Sequence, residues 1–257
     1  MLAEHWSVLA LCGFSFVAGF IDAVVGGGGL IQVPALLVIK PEASIPSLFG
    51  TNKFASIFGT ANATWRYARV VSLPWKTVGV TAVAAFVFSF LGARVVSLIN
   101  PAALRPLVLA MMLLVFVYTL WKKDFGQLHA PRLTQGRQYL TGLVVGALLG
   151  FYDGFFGPGT GSFLIFAFVG LFGFSFLAAS AAAKCVNLAT NAAALSWFLP
   201  HQQILYAAAI PMAASNIAGS WIGAHLALRK GSAFVRLLFI VIVAALMAKL
   251  AWDMYSD

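Results

Sequence analysis

The chain has 257 residues, 61% of them hydrophobic and only 9% charged, with a formal net charge of +9. Soluble domains carry about 25% charged residues, so the composition excludes a soluble enzyme or binding module and describes an all-α integral membrane protein. The basic excess would suggest nucleic acid in a soluble chain; here it is read as positively charged cytoplasmic loops, with a lipid bilayer and no nucleic acid as partner.

At roughly 20 residues per span the chain has room for about ten segments and no soluble domain. Apolar runs predict helices near 6–25, 29–39, 47–65, 77–99 and 104–121, then near 138–156, 162–172, 176–198, 203–228 and 233–252. The opening run lacks the basic flank of a cleavable signal and is expected to stay as a helix. The second and seventh segments are short and follow glycine-rich breaks, which marks them as half-helices or re-entrant segments.

A shift of 131 residues lays one half of the chain on the other without a gap. Gly19, Phe20 and Asp22 meet Gly150, Phe151 and Asp153; Gly26 and Gly28 meet Gly157 and Gly159. Lys53 meets Lys184, Gly92 and Ala93 meet Gly223 and Ala224, and Arg105 meets Arg236. Apolar sequence matches itself in any register, but Asp, Lys, Arg and Gly do not. A duplicated hydrophobic chain with equivalent glycine breaks is the pattern of a secondary transporter. The expected units are a first repeat over 1–121, a cytoplasmic loop over 122–137 and a second repeat over 138–257.

Charge sets the expected orientation. With five segments per half, one side receives Arg66, Arg69, Lys76, Lys122, Lys123, Arg132, Arg137, Arg229, Lys230 and Arg236 against Asp124. The other receives Lys40, Arg94, Arg105 and Lys249 against Glu4, Glu42, Asp253 and Asp257. The basic side is expected to be cytoplasmic, with both termini outside. Arg66, Arg69 and Lys76 correspond to Trp197, Pro200 and Ala207, so basic residues vanish where an inverted copy would face outward. An odd number of segments per half gives inverted repeats.

The breaks are Gly19-Phe-Ile-Asp22-Ala-Val-Val-Gly26-Gly27-Gly28-Gly29 and Gly150-Phe-Tyr-Asp153-Gly-Phe-Phe-Gly157-Pro158-Gly159-Thr160-Gly161-Ser162. Each opens a short helix whose free N–H groups and positive dipole end favour an anion. Gly27, Gly28 and Gly29 on one side, and Gly159, Thr160, Gly161 and Ser162 on the other, are therefore candidate anion contacts. Close helix packing through small residues is the competing explanation. Neither break continues into the Gly-Lys-Ser/Thr of a phosphate loop.

Thr51-Asn52-Lys53 opens a second pattern. Lys53, Ser56 and Thr60, and equally Lys184, Asn187 and Asn191, are spaced i, i+3, i+7, so each set forms one polar stripe on an apolar helix. Charges inside a span face the bundle interior, which makes Lys53, Lys184, Asn52, Asn187 and Asn191 candidate substrate contacts. The alternative is that the two lysines neutralise Asp22 and Asp153. Those carboxylates are either coupling groups, for a proton or sodium, or structural acceptors for break N–H groups. Asn216 is expected to line a cavity or bond across helices, and Ser89 and Ser220 to mark close helix contacts. Cys12 and Cys185 read as buried small residues. The four histidines are scattered near segment ends, so no metal, cofactor or catalytic cluster is expected. The sequence is compatible with a homo-oligomer.

In these motifs the chain resembles the TauE/SafE family of sulfite and sulfonate transporters, especially its YfcA-like members. The stretches that carry the resemblance are Gly-Phe-Ile-Asp22 running into Gly26–Gly29, Thr51-Asn52-Lys53, Gly-Phe-Tyr-Asp153-Gly-Phe-Phe-Gly-Pro158, Lys184 with Asn187 and Asn191, and Gly223-Ala224. The resemblance covers nearly the whole chain. It implies a multi-pass permease of the cytoplasmic membrane for sulfite, sulfoacetate or other organosulfur anions. Pro158 and Thr160 interrupt the plain glycine run of the second break, so the two half-sites are not expected to be equivalent. The extra hydrogen-bonding groups Thr160, Ser162, Asn187 and Asn191 suggest that substrate leans toward the second half.

Overall fold

The computed structural model describes residues 2–100 and 133–256, with side chains described for 5–100 and 133–231. Among the described residues all regular structure is helical: α1 (Leu2–Val25), α2 (Gly29–Ile39), α3 (Ile45–Ala68), α4 (Trp75–Leu98), α5 (Gln135–Phe155), α6 (Thr160–Gly170), α7 (Phe176–Phe198) and α8 (Tyr206–Ser256). The segment expected at 104–121 lies outside the described residues. The expected ninth and tenth segments form one helical stretch, α8, broken at Gly231 by a positive φ of 72°.

Local chemistry explains the boundaries. Ser44 and its equivalent Ser175 each cap a long helix, accepting the Ser47 and Ala178 amides at 3.3 Å. Such caps satisfy one of the orphan N–H groups of a first turn. At the first break, Gly26 and Gly27 both take positive φ, 76° and 87°. At the second, the positive φ values fall on Gly157 and Gly159, at 94° and 85°. The ring of Pro158 fixes its φ near −65°, so the second left-handed residue moves one place along. The proline that distinguishes the two breaks in sequence thus gives them different backbone paths.

Lipid-like surroundings are written on the surface. Helices His5–Val25 and Trp75–Leu98 are long and apolar enough to cross a membrane. Val83, Phe86 and Val87 on α4, Leu140, Leu143 and Leu148 on α5, and Ile210, Ile217 and Trp221 on α8 are exposed, whereas Ser15, Gln32, Asn52, Lys53, Asp153 and Lys184 are buried. Apolar outside and polar inside is the arrangement a bilayer selects.

The halves pack by exchange. α1 lies on α8 and α5 on α4; α3 also lies on α8 and α7 on α4, while α3 and α7 meet each other. Single contacts obey the same rule. A Cβ on Gly19 would strike the Asn216 carbonyl, and one on Gly150 would strike the backbone of Ala85, the equivalent of Asn216. Gly223 abuts the Phe20 carbonyl and Gly92 the Phe151 carbonyl. Ser89 donates to the Thr190 carbonyl at 2.9 Å, and Ser220 to the Gly59 carbonyl at 2.5 Å. Each of these contacts is returned by the equivalent residues of the other half.

The basic residues gather as well. Arg66 stacks on Trp221 and Arg69 on Trp65. Thr77 donates to Gln138 at 2.9 Å, which brings Lys76 and Arg137 together. Arg229 and Lys230 follow two turns after Trp221. At the opposite end, Ser97 donates to Gln203 Oε1 and accepts from Trp197 Nε1.

Candidate functional site

The two glycine breaks meet at the centre. A Cβ on Gly26 would run into the Gly161 backbone, and Gly29 faces Pro158. Beside them is a small cavity of about 20 Å³, room for about one water. α3 presents Asn52, Lys53, Ser56 and Thr60 to it, and α7 presents Asn187 and Asn191. Asp22, Gly27, Gly28 and Gly29 close the first-half side, and Asp153, Gly157 and Gly161 the second-half side. The i, i+3, i+7 spacing therefore does what helical geometry requires: each stripe turns inward along one face.

The first break also has amides without a partner among the described hydrogen bonds. Gly27 and Gly28 carbonyls accept from Leu30 and Ile31 at 2.9 and 3.0 Å, but none of the described hydrogen bonds uses the Gly27, Gly28 or Gly29 amides. Such unpaired amides at a helix start are donors for an anion.

Two ion pairs cross between the halves. Lys53 Nζ donates to Asp153 Oδ2 at 2.5 Å, with both side chains almost fully buried. Lys184 Nζ lies 3.1 Å from Asp22 Oδ2, with the lysine at 0% exposure and the aspartate at 16%. This second contact has the distance of an ion pair but not the angle of a hydrogen bond, so the Lys184 ammonium has no hydrogen-bond acceptor among the described residues. Among the described residues, Asp22 receives a single long hydrogen bond, 3.5 Å from Thr60. The neutralisation of lysine by aspartate is therefore present, and it runs between halves rather than within them.

Several residues expected at the site stand behind its wall. Lys184, Gly159, Thr160 and Ser162 do not line the cavity. Lys184 sits behind Asp22. The Thr160 hydroxyl donates to the Gly157 carbonyl at 2.7 Å, and the Ser162 hydroxyl to the Val25 carbonyl at 3.4 Å. Both hydroxyls are spent holding the breaks in shape.

A polar network on the first-half side extends the site. Asn216 lines the cavity. Its Nδ2 donates to the Ser15 carbonyl and to Gln32 Oε1, each at 3.1 Å. Ser15 Oγ donates to the Met212 carbonyl at 2.8 Å, and Gln32 Nε2 to the Asn52 carbonyl at 3.4 Å. The Asn52 Oδ1 atom is buried without a hydrogen-bond donor among the described residues. The equivalents of Ser15, Gln32, Asn52 and Asn216 are Gly146, Phe163, Ala183 and Ala85. The sequence expectation assigned extra polarity to the second half. The structure adds a buried polar lobe to the first half that Ser15 and Gln32 complete. Gln32 was visible as the one amide side chain within the 11-residue α2, but alone it carried no signal of a partner.

A membrane-embedded helical bundle with charged groups and glycine breaks enclosed between two related halves defines a membrane transporter. The comparisons agree. A match to the family described as Sulfite exporter TauE/SafE covers residues 11–250, and the chain belongs to that family. A probable membrane transporter protein of Haemophilus influenzae is 34% identical over 238 residues, 93% of this chain and 92% of that protein. The probable membrane transporter protein YfcA of Escherichia coli K12 is 33% identical over 245 residues, 95% of this chain and 89% of that protein. The probable membrane transporter protein ORF9 of a Sinorhizobium species is 34% identical over 242 residues, 93% of this chain and 90% of that protein. No solved structure matches the chain.

Proposed function

We propose that the chain is a secondary transporter, not an enzyme, that moves a small anion by alternating access between two inverted five-segment repeats, 1–121 and 138–257. The proposed substrate class is sulfite, a sulfonate or another organosulfur anion, consistent with the family's description as sulfite exporters. The observation that carries this reading is the crossed pair Lys53–Asp153 and Lys184–Asp22 beside a cavity lined by the glycines of both breaks. Lysine supplies the charge for an anion and the first-break amides supply directional donors. Rocking one half against the other would remake both pairs at once, which fits exposure of a central site to each side in turn. Reciprocal packing of the halves supports a two-fold relation between them, and the gathering of Arg66, Lys76 and Arg137 at one end supports a cytoplasmic face there.

An anion channel of the same architecture is the second reading. The small volume of the cavity and the Lys53–Asp153 pair in its wall favour a carrier over an open pore. The test is flux in proteoliposomes. A carrier exchanges internal and external sulfite or sulfonate and saturates; a channel passes anion current that follows voltage without exchange. Lys53→Ala is expected to abolish flux, and undiminished flux would sink the site assignment. Orientation is tested in a background with Cys12 and Cys185 replaced by Ala. Labelling of Arg69→Cys or Lys230→Cys from outside intact cells would overturn it.

A further inference from the structure

We infer that Asp22 is the coupling group and that it takes up one proton for each negative charge bound, so that anion and proton travel together. The inference rests on the transporter reading above and assigns the coupling ion to that same site.

The argument is one of charge balance. Lys53, Lys184, Asp22 and Asp153 sum to zero around a small buried cavity. An added anion makes the region negative in a medium that solvates charge poorly. Protonation of Asp22 alone leaves Lys184 positive at 0% exposure with nothing to neutralise it. Each event is costly by itself, and together they restore neutrality. Two binding events with that property are positively coupled, and the coupling is reciprocal.

The two carboxylates are not equal candidates. Asp153 is 2% exposed and accepts a 2.5 Å bond from Lys53. Both line the cavity, but Asp22 is 16% exposed and, among the described residues, is held by a misaligned 3.1 Å ammonium and a 3.5 Å hydroxyl alone. It is the acid that a proton can reach and that loses least by accepting one. The groups facing it are few. α7 contributes Lys184 and α3 contributes Thr60 and Tyr67, whose hydroxyl is committed to the Ala23 carbonyl at 2.9 Å. α6 contributes Gly161 and α2 Gly28, neither titratable. Lys53 and Asp153 stand across the cavity as a closed pair. The proton moves from water to an Asp22 carboxylate oxygen and returns to water when the anion leaves, so no other group changes its protonation state.

The experiment is calorimetric titration of the purified protein with methanesulfonate, whose single charge does not change with pH. Wild type is expected to bind about tenfold more tightly for each unit of falling pH wherever binding takes up one proton, and to absorb one proton per ligand in buffers of different ionisation enthalpy. Asp22→Asn fixes the neutral form and is expected to bind with no pH dependence and no proton uptake. Asp22→Asn combined with Lys184→Gln removes the positive charge without leaving either partner unpaired, and is expected to lose methanesulfonate binding at every pH. Wild-type binding that ignores pH, Asp22→Asn binding that still follows pH, binding by the double variant, or binding that requires sodium at fixed pH would each overturn the assignment while leaving the anion site standing. Absence of any methanesulfonate binding by wild type would overturn both.

Discussion

Lys53 and Lys184 stand at equivalent positions of the two halves, and each reaches into the other half for an aspartate. One makes a 2.5 Å hydrogen bond to a carboxylate that is 2% exposed; the other stops at 3.1 Å, misaligned, against one that is 16% exposed. The same cavity is bordered by the Ser15–Gln32–Asn216 network, whose equivalents are Gly146, Phe163 and Ala85. Equivalent positions thus carry one closed ion pair and one looser one. Equivalent sequence positions therefore do not imply equivalent work.

Three measurements break or sharpen that contrast. The largest effect is expected from Lys53→Met, which strands Asp153 as a buried unpaired charge. Breaking a buried pair in this way costs about 3–5 kcal/mol. Lys184→Met strands Asp22, which retains access to water, and should cost less. Thermal unfolding of both variants in detergent gives the ranking, and equal losses would erase the distinction between the closed pair and the looser one. Asn216→Ala comes next. It leaves Gln32 Oε1 and the Ser15 carbonyl without this donor, worth about 1–3 kcal/mol, and it should weaken anion binding because Asn216 lines the cavity. Unchanged stability would mean that the polar lobe is ornamental. The smallest effects belong to Ser89→Ala and Ser220→Ala. Their bonds to Thr190 and Gly59 carbonyls are equivalent, and each is worth about 1 kcal/mol. Matching losses sharpen the picture of a shared scaffold beneath an unequal site; a large difference would extend the inequality to the scaffold itself.

Much of this was legible in the sequence because its landmarks obey short-range rules. The short helices after each break begin and end within a few residues of where the glycines and apolar runs put them, since glycine and proline control φ directly. The polar stripes turned inward together because spacing on a helix is geometry. Partner choice was not legible. Spacing says that Lys53 faces the interior but not that Asp153, on the other half, is what it meets. The hydroxyls of Thr160 and Ser162 were read as ligands because sequence cannot show that the Gly157 and Val25 carbonyls stand nearer. Gln32 and Ser15 escaped notice for the same reason: a lone polar residue on a helix acquires meaning only from what folds against it.

The crossing of the ion pairs also governs what half of this chain could be. Alone, residues 1–121 would carry Asp22 and Lys53 with neither partner in reach, and two buried charges would resist insertion as a finished unit. A second copy, related by a two-fold axis, would close both pairs at once, because in such an interface residue i meets j and j meets i. These two ion pairs thus follow, within a single polypeptide, the contact rule of a symmetric dimer. Halves made as separate chains are expected to need each other, held together less by their connecting loop than by the debt of charge each leaves for the other to settle.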